Sequence, residues 1–152
     1  MHDYGILDIN LINKFAAEYI AKSPLNTQLF PFAIEVLEYL KKNYQLHILT
    51  NGFDSVQNIK LATSGIDRYF EQVITAEKAG FQKPDPNIFR YALRQVGSKP
   101  SECIMIGDDL LGDVIGAENV GIQGVYFNPN KIKHNEDVVH EISSLNELKT
   151  LL

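Results

Sequence analysis

The sequence offers little for several common modes of action. It holds one cysteine, Cys103, among 152 residues, so no internal disulfide is available. That thiol stands at the head of an apolar run, where packing is its expected role and metal binding or nucleophilic attack is not. Basic charge is also scarce: 14 Lys and Arg face 19 Asp and Glu, a formal net charge of -5. Such a balance leaves no basic footprint for nonspecific contact with nucleic acid or an acidic membrane surface. No apolar run reaches the length that spans a bilayer, and Met1-His2-Asp3-Tyr4-Gly5 lacks the charged and apolar regions of a signal peptide. A reducing, cytoplasmic setting with small molecules or proteins as partners is the expectation. Repeats, low-complexity tracts and linkers are missing too, and 45% hydrophobic with 22% charged residues is ordinary globular composition for one domain.

What is present is an alternation of strands and helices. Leu11, Phe15 and Tyr19 recur on one face of a helix over residues 8 to 22, with Asp8 as its N-cap. Ser23-Pro24-Leu25-Asn26-Thr27 breaks it. Pro31 suits the first turn of a second helix, which carries Ala33, Val36, Leu37 and Leu40 on one face and closes at Lys41-Lys42-Asn43. Strand Leu46 to Thr50, the turn Asn51-Gly52 and a helix from about 54 to 64 ended by Gly65 come next. Gln72 to Thr75 reads as a second strand. A helix through Ile88, Phe89, Ala92 and Leu93 then leads to a strand from Cys103 to Ile106, and another helix runs to about Val120. Gly124 to Phe127 is a fourth strand, and residues 137 to 152 read as a short strand plus a terminal helix. This order predicts an α/β fold with a parallel sheet and helices on both faces.

The stretch around which the chain is organised is Ile104-Met105-Ile106-Gly107-Asp108-Asp109-Leu110-Leu111-Gly112-Asp113. An apolar strand that releases acidic residues at its C-terminal end is where open α/β sheets bind ligands. Asp108, Asp109 and Asp113 crowd negative charge there, and oxygen ligands of this kind suit Mg²⁺. The structural alternative is that Asp109 and Asp113 cap the following helix. Likewise Thr50 and Asn51 leave one strand end and Lys83 precedes a Pro-bounded helix; alone, Thr50 reads as a strand-end cap and Lys83 as a solvated surface residue. Together with the acidic loop they make a set suited to a phosphate and its metal.

In their order, these motifs resemble the haloacid dehalogenase-like hydrolase superfamily. His47-Ile48-Leu49-Thr50-Asn51-Gly52 is similar to its second motif, Lys83-Pro84-Asp85-Pro86 to its third, and Gly107-Asp108-Asp109-Leu110-Leu111-Gly112-Asp113 to its fourth. The likeness covers about residues 30 to 128. Thr50-Asn51-Gly52-Phe53 with Gln57, then Ser64-Gly65-Ile66 and Tyr69-Phe70, resembles the pyrimidine 5'-nucleotidase branch. The resemblance implies a three-layer Rossmann-like core and Mg²⁺-dependent hydrolysis of a small phosphomonoester through an aspartyl-phosphate. It implies that Thr50 and Asn51 bind phosphate, that Lys83 neutralises charge on the phosphoryl group and nucleophile, and that Asp108 ligates Mg²⁺. Asp113, with Asp109, would support the metal loop. Phosphoryl transfer spreads charge over oxygens that a metal and a fixed ammonium stabilise.

The superfamily's first motif, Asp-x-Asp-x-Thr at the end of the first strand, supplies the nucleophile, and no Asp-x-Asp occurs in this sequence. Asp8-Ile9-Asn10 comes nearest, but a helical pattern follows it. The resemblance therefore implies a C-terminal portion of such a hydrolase, truncated and inactive alone, with residues 1–28 the remnant of a helical cap and 29–152 the core. The first strand of the family lies mid-sheet, between the strands ending at Thr50 and Ile106. Its loss would expose apolar edges that pair directly or are covered by another chain, for example in a homo-oligomer. The alternative reading is a non-catalytic module that keeps a phosphate or metal site and acts by binding or assembly.

Overall fold

In the computed structural model, which describes residues 8–25 and 27–152, the strands form where short aliphatic runs stop at glycine or polar turns. They are β1 (His47–Thr50), β2 (Gln72–Thr75), β3 (Ile104–Gly107), β4 (Gln123–Phe127) and β5 (Glu141–Ile142). Every pairing is parallel, but the strands fall into two sheets, β1-β2 and β3-β4-β5. Among the described residues no strand joins β1 to β3.

The helices are α1 (Ile9–Lys22), α2 (Ala33–Leu40), α3 (Asp54–Ser64), α4 (Ala76–Ala79), α5 (Pro86–Val96), α6 (Gly116–Glu118) and α7 (Leu148–Leu151). Their ends follow local chemistry. Asp8 accepts from the N–H groups of Asn10 and Leu11, and Asp85 accepts from that of Asn87, satisfying donors that a first turn leaves unpaired. Gly65 ends α3 at φ 69°, the left-handed region that glycine enters at little cost. None of these helices is long and apolar enough to cross a membrane.

Two apolar layers sandwich the strands. Val36 and Leu40 of α2, with Val125, Phe127, Ile142 and Leu148, make one cluster, against which Leu46, Ile104 and Ile106 pack. Ile88 and Phe89 of α5, with Ala76, Ala79, Ala117 and Ile122, make the other, against which Leu49 and Met105 pack. The two sheets thus share one layer between the same helices, in the order β2-β1, then β3-β4-β5.

Three expectations change. Pro31 lies in the turn before α2 rather than inside it, because Phe32, at φ 67°, takes the N-cap position. The helix expected up to Val120 begins instead as a π-helical turn, Leu110–Ile115, and only Gly116–Glu118 is α-helical. The third strand starts at Ile104, since Cys103 caps the preceding 3₁₀ turn, Pro100–Glu102, and gives its N–H to the Pro100 carbonyl. The apolar face of α1 is also open: Phe15 and Tyr19 are exposed.

Candidate functional site

Parallel strands bring all their C-terminal ends to one side, and there the three separated motifs meet. The ammonium of Lys83 donates to Asp113 Oδ1 and, at 3.1 Å, to the carbonyl of Leu49 in β1. Both charged side chains are nearly enclosed, Lys83 being 11% and Asp113 7% exposed. Partial burial strengthens such a pair but makes either charge costly without the other.

Asn51 fixes where Lys83 sits. Its side-chain oxygen accepts from the Lys83 N–H at 2.7 Å, and its amide donates to the Lys83 carbonyl at 3.1 Å. This two-way clamp is a peptide-like pairing that holds the loop before α5 against the end of β1. Thr50 Oγ1 accepts from the Gly52 N–H at 3.0 Å, which leaves the hydroxyl proton free to donate elsewhere.

The acidic loop divides its carboxylates among different tasks. Asp109 accepts from the Gly112 N–H at 2.9 Å and so N-caps the π-helical turn. Asp113, besides holding Lys83, accepts from the Asp109 N–H at 3.3 Å. Gly107 makes room for it: a Cβ there would lie 2.2 Å from Asp113 Oδ2. Asp108 is exposed and makes no hydrogen bond or ion pair among the described residues. The structural alternative for Asp109 thus holds, while Asp113 is an ion-pair partner rather than a cap.

Among the described residues no three of His, Cys, Asp and Glu gather as a metal cage. Mg²⁺ does not need one: it keeps several waters and is held through one or two carboxylates and substrate phosphates. Asp108, exposed and without a partner among the described residues, is the one carboxylate of the loop with the donor chemistry that such a site would use.

Sequence reasoning placed Thr50, Asn51, Lys83, Asp108, Asp109 and Asp113 at one end of the strands, and the structure brings them there. It missed the Leu49 carbonyl as an anchor and the side-chain role of Asn51, because neither a backbone acceptor nor a clamp leaves a residue pattern. Burial is the main cause of a shifted pKa at His47 and Cys103. Burial pulls His47 on β1 below its ordinary value, partly opposed by Glu71. Burial pushes the Cys103 thiol up, in keeping with a packing role. A cavity of about 310 Å³ lies by the outer edge of β2, next to Gln72 and Tyr91, away from Lys83.

Comparison with known proteins bears on what this site belongs to. Over 125 residues the chain is 34% identical to the pyrimidine 5'-nucleotidase YjjG of Escherichia coli, covering 80% of this chain and 56% of that protein. Over 131 residues it is 34% identical to the glyceraldehyde 3-phosphate phosphatase of Methanothermobacter thermautotrophicus, covering 81% of this chain and 58% of that one. It therefore spans less than three fifths of the length of these relatives. The fold matches the magnesium-bound crystal structure of the HAD-hydrolase YfnB from Bacillus subtilis with a TM-score of 0.85 and 27% identity, covering 89% of this chain and 60% of that one. The model of the haloacid dehalogenase-like hydrolases matches residues 3–121, and with the Lys83–Asp113 pair and its flanking Thr50 and Asp108 in place, the chain belongs to that family.

Proposed function

We propose that these residues form the charge-stabilising part of an Mg²⁺-dependent phosphatase acting on small phosphomonoesters, with nucleoside 5'-monophosphates as the first class to try. The observation that supports it is the fixed ammonium of Lys83 at the strand ends, flanked by a free hydroxyl proton on Thr50 and a free carboxylate on Asp108.

An ammonium has three donors, and Lys83 commits two of them to Leu49 and Asp113. The third serves the phosphoryl oxygens of a substrate. Thr50 donates its hydroxyl proton to another phosphoryl oxygen, and Asn51 holds the loop that carries Lys83. Magnesium, when bound, neutralises charge developing on those oxygens, and Asp108 would be its ligand from this chain. Attack on phosphorus requires a carboxylate that this sequence does not supply in an Asp-x-Asp motif. In this reading residues 1–28 are the end of a cap and 29–152 the core. The relatives act on a pyrimidine nucleotide in one case and on a triose phosphate in another, which supports phosphomonoesters as the shared class.

The test is phosphate release by the chain extended at its N-terminus with the strand and cap of the Escherichia coli relative. The panel is pyrimidine and purine monophosphates and glyceraldehyde 3-phosphate, with and without Mg²⁺. Release that falls by about a hundredfold or more in Asp108→Asn is expected. Asp108 is exposed and unpartnered, so that variant keeps its fold. A folded extended chain that releases no phosphate overturns the proposal and favours a binding or assembly module, the reading that the missing Asp-x-Asp supports.

A further inference from the structure

Two loops meet at the strand ends, and each carries an exposed phenyl ring close to the junction. The side chain of Asn51 grips both the N–H and the carbonyl of Lys83. Phe53 stands two residues after Asn51 and is 59% exposed, and Phe81 stands two residues before Lys83 and is 40% exposed. Two residues of chain span at most about 7 Å, so both rings spring from the rim of the crevice that holds Thr50 and Lys83. Local structure fixes where each begins. Phe53 opens α3, and its carbonyl accepts from the Gln57 N–H at 3.0 Å. Gly80, at φ 75°, ends α4 and turns the chain so that Phe81 leads into the clamped loop.

Beside Gly52, between Thr50 and Phe53, lies the amide of Gln57. A Cβ at Gly52 would lie 2.2 Å from Gln57 Nε2, so the amide rests directly on that glycine. The Gly52 N–H is bound in turn to Thr50 Oγ1. Gln57 is half-buried, yet its side chain makes no hydrogen bond among the described residues. It offers two N–H donors and an oxygen acceptor. The exit of β1 thus presents a hydroxyl, then an amide, then an aromatic ring.

A single exposed phenyl is ordinary on a protein surface, but two beside one anion-binding lysine ask for a ligand. Neither ring can pair with a phosphoryl oxygen or with the short polar chain of a triose phosphate. Both suit the flat face of a nucleobase, which stacks on aromatic side chains.

We infer that Phe53 and Phe81 are specificity-determining residues for a nucleobase, and that Gln57 holds the sugar between base and phosphate. The inference rests on the phosphatase reading and narrows its substrates to nucleoside monophosphates. Chain order matches ligand order: Thr50 and Lys83 take the phosphate, Gln57 a sugar hydroxyl, and the rings the base. Every base has a π-face, so these rings separate nucleotides from sugar phosphates rather than one base from another. Gly52 belongs to the arrangement, because a side chain there displaces the flexible end of Gln57.

The experiment titrates the whole 152-residue chain with uridine 5'-monophosphate, adenosine 5'-monophosphate and ribose 5-phosphate in Mg²⁺ and follows NMR chemical shifts. Ribose 5-phosphate carries the sugar and the phosphate without a base. Both nucleotides are expected to bind about tenfold more tightly than it, and the double variant Phe53→Ala with Phe81→Ala to lose that preference. Phe53→Tyr keeps a ring and is expected to keep the preference. Gln57→Ala and Gly52→Ala are each expected to weaken all three ligands about fivefold. Equal binding of all three by the native chain, a preference that survives the double variant, or no binding at all overturns the inference. A double variant that weakens all three ligands equally also overturns it, for the rings would then pack on another part of the protein. Native affinities in Gln57→Ala overturn the role of Gln57. The phosphatase reading fails separately: an extended chain that releases no phosphate while the base preference stands removes hydrolysis and leaves base recognition. Phosphate release with no preference that depends on the rings does the reverse.

Discussion

Lys83 and Asp113 form an ion pair between two nearly enclosed side chains, 11% and 7% exposed, one on the loop before α5 and the other in the π-helical turn after β3. The pair joins the two sheets at their C-terminal ends, because the same ammonium also holds the Leu49 carbonyl of β1. No strand makes that connection among the described residues, so the lysine does.

Removing one partner should therefore be costly. Lys83→Met leaves Asp113 enclosed without a counter-charge, and the expected loss is about 3–5 kcal/mol in urea denaturation. Replacing both, as Lys83→Met with Asp113→Leu, should recover more than half of that loss, since two apolar groups of similar volume need no pairing. A double variant as unstable as the single one would show that the ammonium's bond to Leu49, not the ion pair, carries the stability.

The position of Asp113 depends on Gly107. A Cβ at that glycine would lie 2.2 Å from Asp113 Oδ2 and 2.4 Å from Asp113 Cβ, so the aspartate must move. Gly107→Ala is expected to cost about 1–3 kcal/mol. The two substitutions should couple: once Asp113 has shifted, Lys83→Met has less left to remove. A double-mutant cycle that came out additive would place the damage elsewhere.

How far these relationships could be read in advance differs by residue. The α/β class followed from aliphatic runs such as Ile104 to Ile106 alternating with helical periods, because burial on both faces of a strand leaves a compositional trace. Thr50, Lys83 and Asp108 were legible because their order at strand ends is a pattern of residue types. The π-helical turn at Leu110–Ile115, capped by Asp109, was not, for nothing in the residue pattern distinguishes it from an ordinary α-helical start. Nor was the division of labour among the three aspartates: Asp113 meets the lysine, and the absence of a Cβ at Gly107 leaves room for it, a property of the fold.

Phe32 shows a local choice that conflicts with its backbone. It sits at φ 67° as the N-cap of α2 and is 47% exposed. A bulky residue in the left-handed region costs about 1–3 kcal/mol, which glycine avoids while losing somewhat more entropy on folding. Phe32→Gly should raise the melting temperature by a few degrees, on the order of 1 kcal/mol. A lower melting temperature would mean that the ring's contacts outweigh the strain.

His47 sets the response to mild acid. Burial disfavours its charged form, so its folded value lies below the ordinary 6.5, with Glu71 opposing in part. Between the folded and unfolded values the unfolded chain holds more protons, and stability rises with pH there. The contribution is therefore complete above about pH 6.5 and falls away as the pH drops toward the folded value. Two carboxylates act in a separate window. Glu141, held down by Asn128 and His134, and Glu147, held down by the Ser144 and Ser143 N–H groups, lose their contributions only below 4.5. Urea midpoints measured from pH 7.5 to 3 should decline between 7.5 and 5 in the native chain and stay nearly flat there in His47→Gln, while both chains weaken further below pH 4.5. Parallel curves for the two proteins between pH 7.5 and 5 would remove His47 as the cause.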